Sequence, residues 1–202
     1  MTAERPVLTA AERNLALAWV LAVAAGWVLG FYLCGVIENW LSTFFIDGLV
    51  IGSAIGIAQG LVLRRNRIAP MLPWVVVSII GFGVGKFFGD VIGQGSTSLV
   101  SIALSGAIIG LVAGIAQSVV LMDRFSNAWW WIVANVVAWI VGWTLIGLLN
   151  ESASSLVMTY ADGAFGATVI GVITAITLVA LSRHPVPKPI NAEAEAADPR
   201  QA

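Results

Sequence analysis

The sequence predicts an all-α integral membrane protein with six transmembrane helices laid out as three tandem two-helix hairpins. Three observations carry that expectation. Of 202 residues, 59% are apolar and only 10% charged, against roughly 25% charged in ordinary soluble domains, and the mean hydropathy is +0.93. The apolar residues fall into six runs, each near the roughly 20 residues that cross a ~30 Å hydrocarbon core. Finally, a glycine ladder ending in a polar residue recurs: Gly48, Gly52, Gly56, Gln59, then Gly106, Gly110, Gly114, Gln117, and more loosely Gly163, Ala167, Gly171, Thr174.

The ladders are offset by 58 and then 57 residues, and a second signature alternates with them. Trp19, Gly26 and Gly30 match Trp74, Gly81 and Gly85, and then Trp131, Ala138 and Gly142. Each unit therefore holds two helices, giving repeats over about 14–67, 68–125 and 126–183. A two-helix unit returns the chain to the side on which it began. All three copies thus share one orientation, compatible with a pseudo-threefold arrangement about the membrane normal.

Taken in order, residues 1–13 are polar and form an N-terminal cytoplasmic segment, and the first span runs from about Leu15 to Ile37. Ala22-Val23-Ala24 imitates a signal-peptidase site, but cleavage there would cut the first copy of the tryptophan signature. Glu38 to Ile46 is mixed and aromatic, as at a headgroup interface. Asp47, Ser105 and Asp162 each precede a ladder and are the expected N-caps of the even helices. If those helices begin some seven residues earlier, the same groups lie about 10 Å inside them, where a carboxylate is costly and functional.

The second span ends at Arg64, Arg65 and Arg67, and Pro70 and Pro73 punctuate the turn into the third, which reaches about Ile92. A linker from Gly93 to Leu104, with Ser96 and Ser98 read as loop, leads to the fourth span, ending at Met122. Trp129, Trp130 and Trp131 read as an aromatic belt opening the fifth, which reaches about Leu149. The sixth runs from Gly163 to about Leu181, and residues 184–202, rich in proline and charge, are expected to be a disordered cytoplasmic tail.

Nine of the ten Lys and Arg lie on the side that both termini share, with Lys86 the exception. By the positive-inside bias both termini are cytoplasmic, and the expected location is a plasma membrane. A net charge of −1 gives no reason to expect a nucleic-acid partner, and the lone Cys34 excludes an internal disulfide. No nucleotide fingerprint or metal-ligand cluster is present, and His184, the sole histidine, sits at a helix end. No catalytic residue, metal or cofactor is therefore assigned, and the chain is read as non-enzymatic.

The small residues have a physical purpose. Lipid tails are as apolar as leucine, so helices in a bilayer associate through close packing and hydrogen bonds. Gly48, Gly52, Gly56, Gly106, Gly110, Gly114, Gly163 and Gly171 are assigned to that packing. Gln59, Gln117 and Thr174 continue the packing face, with Ser78 and Asn135 at equivalent places in helices three and five and Val23 in helix one. One reading makes these groups interhelical ties; the other brings them around a central axis as a polar site.

Lys86 and Asp90 form the only charged couple within a span. Counting from Trp74 at the inner interface, they lie about 18 Å and 24 Å across the core. They read as a mutually neutralising pair or as a solute-binding couple, for the other hairpins carry Phe31 and Trp143 in place of Lys86.

The G-x3-G-x2-Q ladder followed by Leu61-Val62-Leu63-Arg64-Arg65, with Trp74 opening the next helix, resembles a group of uncharacterised bacterial multi-pass membrane proteins over most of 14–183. The resemblance implies a fold and carries no activity. Mitochondrial carriers also have three tandem two-helix units, but their P-x-[DE]-x-x-[KR] motif is missing here. Size and span number resemble the vitamin-binding subunits of energy-coupling-factor transporters by analogy alone. The expected function is a scaffold or accessory subunit whose partners are the lipid bilayer and a homo-oligomer or another membrane protein. The alternative is a small-solute transporter or channel with an unidentified ligand bound between the hairpins.

Overall fold

The computed structural model describes residues 8–37, 44–93, 98–150 and 156–186. These residues form α1 (Ala10–Ile37), α2 (Phe44–Arg65), α3 (Met71–Gly93), α4 (Leu99–Met122), α5 (Trp130–Asn150) and α6 (Leu156–Ser182). All six are long and apolar enough to cross a membrane. Each packs against its neighbours in chain order, and α6 packs on α1, so the six helices close into a ring.

Two sets of small residues make the two kinds of wall between neighbours. Within hairpins, the tryptophan signature supplies the contact: a Cβ on Gly26 would stand 2.7 Å from the Ile55 Cα and one on Gly85 3.1 Å from the Ile109 Cα, while one on Gly142 would meet the Ile170 side chain and, at 3.0 Å, the Gly166 carbonyl oxygen. Between hairpins, the ladders supply it. A Cβ on Gly110 would lie 2.6 Å from the Asn135 carbonyl oxygen, Gly52 and Gly56 press on Ser78, and Gly171 meets the Val20 backbone. Backbone cannot yield as a flexible side chain can, so these approaches depend on the absence of a side chain.

The even helices begin earlier than their ladders, which corrects the N-cap expectation. Ser98, read from sequence as loop, caps α4 by accepting from the Ser101 amide, which leaves Ser105 seven residues inside and buried. Asp162 lies six residues beyond the start of α6, whereas Asp47 stays in the first turn of α2. The apolar stretches Leu99-Val100 and Leu156-Val157 simply continue each helix outward.

At the other end α1 also begins earlier, at Ala10. Thr9 and Glu12 form a reciprocal capping box: the Thr9 amide donates to Glu12 Oε2 at 2.7 Å, and the Glu12 amide to Thr9 Oγ1 at 3.2 Å. Glu12 Oε1 also accepts from Arg183 Nε at 2.7 Å, tying the start of α1 to the end of α6. The neighbouring carboxylate raises the Arg183 pKa further above its ordinary value. The segment after α6 is anchored too, since the Val186 amide donates to the Arg124 carbonyl and Pro185 pairs with Phe125. The expected disorder from 184 onward therefore fails for 184–186; residues 187–202 and 1–7 lie outside the described residues.

Gly56→Leu and Gly114→Leu should each lower folded yield in detergent and thermal stability. Overpacking costs about 1–3 kcal/mol, and here it acts on Ser78, Ile132 and Asn135 across the helix contact. Val119→Leu, on an exposed face of α4, should leave both unchanged. Equal melting temperatures for all three variants would defeat the packing argument.

Candidate functional site

Helices α1, α3 and α5 are never neighbours in the ring, yet their tryptophans touch. Trp19, Trp74 and Trp131 meet edge-on in pairs, with ring centroids 5.9, 5.6 and 5.8 Å apart, and all three are 0% exposed. They meet inside the ring, on its axis. Edge-to-face geometry sets the positive rim of each indole against the negative face of another.

An indole N–H can only donate, so each of these buried rings needs an acceptor. Trp74 Nε1 donates to Gln59 Oε1 at 3.2 Å, Trp131 Nε1 to Gln117 Oε1 at 3.0 Å, and Trp19 Nε1 to Thr174 Oγ1 at 3.0 Å. The acceptor always comes from the even helix preceding in the ring. Turning its oxygen to Trp131 points the Gln117 amide nitrogen back toward Ser78 Oγ at 3.0 Å and Gln59 Oε1 at 3.5 Å. Asn135 Nδ2 donates to the Trp131 carbonyl at 2.9 Å, and the Thr174 hydroxyl to Ile170 at 2.8 Å.

Apolar layers enclose this cluster on both sides. One turn further along the even helices, Leu63, Leu121 and Leu178 are fully buried. Eight residues beyond the central tryptophans stand Trp27, Phe82 and Trp139, with Trp139 5.7 Å from Trp27 and 5.1 Å from Phe82. Among the described residues, the one buried side-chain polar atom without a hydrogen bond is Thr144 Oγ1, outside the cluster.

The structure thus joins Gln59, Gln117 and Ser78 directly, and links Thr174 and Asn135 to them through the tryptophans. Lys86 and Asp90 stand apart: they pair with each other along α3, both largely buried, and Lys86 is about 18 Å from Trp74 along the helix. No group of three or more His, Cys, Asp or Glu suited to a metal occurs among the described residues.

The central residues that sequence reasoning missed are the tryptophans. Trp74 and Trp131 turn inward and are fully buried, near the starts of α3 and α5, whereas Trp129 and Trp130, stacked at 4.2 Å, are about half exposed. The available signal was the short step from Gln59 to Trp74 and from Gln117 to Trp131 across a turn. That step brings a donor-only ring opposite an amide.

The class that fold and site define is a six-helix, multi-pass membrane bundle with a satisfied aromatic and amide interior. No protein-family model, curated protein or solved structure matches this chain.

Gln59→Leu strands the Trp74 N–H, at a cost of about 1–3 kcal/mol, and Trp74→Phe leaves Gln59 Oε1 with only the long 3.5 Å approach of the Gln117 amide. The double variant should be more stable than the sum of the single losses, by about 0.6–2 kcal/mol for an interhelical bond in a membrane. Thermal unfolding of the four proteins in one detergent measures this, and strictly additive losses would remove the bond from the account.

Proposed function

We propose that this chain is a non-enzymatic scaffold or accessory subunit of the bacterial plasma membrane, with both termini cytoplasmic and three hairpins related by a pseudo-threefold axis along the membrane normal. The observation that carries this reading is the filled axis: three mutually touching indoles, bonded to Gln59, Gln117 and Thr174 and bounded by the leucine layer. The near-equal indole separations support the pseudo-threefold relation. A protein that moves solutes along such an axis has to break several buried hydrogen bonds and separate aromatic rings together. A protein that organises a neighbour needs a rigid body and a large apolar exterior, which this one has in residues such as Leu21, Leu72, Val100 and Ile176.

One observation favours a small-solute transporter as the second reading. Lys86, paired with Asp90, stands where the other two hairpins carry Phe31 and Trp143, and a charged couple placed in one repeat only is a reason to look for a polar ligand.

Native mass spectrometry of the gently released protein separates the two readings. The expected spectrum shows a defined oligomer or a co-purifying membrane protein and no retained water-soluble small molecule. A stoichiometric small ligand, lost in Lys86→Met while folded yield is kept, would transfer the assignment to transport.

A further inference from the structure

We propose that the groove between the end of α2 and the start of α3 is a binding site for one anionic phospholipid. The groove has a volume of about 540 Å³ and is lined by Ile57, Arg64, Pro70, Met71, Leu72, Pro73 and Val75. Its walls are apolar and face outward, with Ile57 and Leu72 among the exposed residues. Arg64, in the last turn of α2, is the one charged residue of the lining. That combination suits an acyl chain lying along the walls and a phosphate at the membrane surface, with Arg64 donating two N–H groups to the phosphate oxygens.

The charge around the groove has one sign. Arg64, Arg65 and Arg67 fall within four residues, and no acidic residue occurs between Arg64 and Val75. Among the described residues the ion pairs are Lys86 with Asp90 and Glu12 with Arg183, neither of which uses this turn. A basic cluster at the end of a transmembrane helix attracts anionic headgroups; the apolar walls localise that attraction to a single lipid.

The corresponding positions in the other hairpins lack this combination. Where α2 and α3 carry Arg64, Leu72 and Pro73, the α4–α5 pair carries Met122, Trp129 and Trp130, and the two indoles stack on one another. The α6–α1 pair has Val179, Leu17 and Ala18. An arginine and open apolar walls coincide at one of the three junctions. The site needs only a bilayer-inserted ring, so it stands independently of whether the protein scaffolds or transports.

The test is native mass spectrometry of the full-length protein in detergent, titrated with phosphatidylglycerol or phosphatidylcholine of identical chains. One phosphatidylglycerol should be retained in preference to phosphatidylcholine. Arg64→Gln should weaken that retention about fivefold, the effect of roughly one interfacial charge, and Arg64→Lys should restore part of it. Leu72→Trp, which fills the groove as Trp129 does at the α4–α5 junction, should abolish retention with all three arginines in place, and Arg124→Gln should change nothing. Circular dichroism and melting temperature confirm that each variant is folded.

Equal retention of the two lipids, wild-type retention in folded Leu72→Trp, or a dimer formed in place of the lipid adduct each overturns the proposal. Displacement of the lipid by millimolar inorganic phosphate also overturns it, because the apolar walls then contribute nothing.

Discussion

Three indole N–H groups, each fully shielded from solvent, must find acceptors within the protein, and the rest of the ring is arranged to meet that need. Each acceptor lies on the helix across a junction between hairpins. It can reach its indole only if the two helices approach closely, and the ladders permit this: Gly52 and Gly56 let α2 sit against Ser78, while Gly110 and Gly114 let α4 sit against Asn135. A side chain added to a ladder therefore perturbs packing and polar satisfaction together. In lipid, where apolar burial gives little drive for helix association, these two contributions are what hold the bundle.

The architecture was legible in the sequence to the degree that it depends on periodicity and length. Six apolar runs and the repeated ladders placed all six helices in order, and the ladder residues lie where helices touch. Helix starts were misread because a short polar residue is as good a cap as a buried neighbour. Ser105 packs beside Gly89 while Ser98 provides the cap, and only tertiary context distinguishes them. The capping box of Thr9 and Glu12 was readable and was overshadowed by the polar composition around it. The tryptophans were misplaced for a different reason: indole is amphipathic, equally suited to a headgroup belt and to a core with an acceptor in reach, and the acceptor comes from another helix.

The polar residues of the interior do not make an even circuit. Gln117 has both an oxygen and an amide to offer, so it binds Trp131 and reaches Ser78 and Gln59 as well. Thr174 accepts from Trp19 and gives its single proton to the α6 backbone, leaving nothing to pass on, and α1 has Val23 where α3 and α5 have Ser78 and Asn135. The network is thus dense across α2 to α5 and thin at the junction of α6 with α1. That junction takes further support from the Glu12 and Arg183 pair, outside the apolar interior.

Closure of α6 on α1 also bears on how the chain is written. Arg183 and Glu12 stand in contact although 171 residues separate them, so the first and last helices meet as chain neighbours do elsewhere in the ring. Every helix has one partner before it and one after it, with no exception at the ends. A circularly permuted chain that opens at the α2–α3 turn and links α6 to α1 by a short connector keeps all six helix pairs adjacent, so chain connectivity and ring order are separable in this fold.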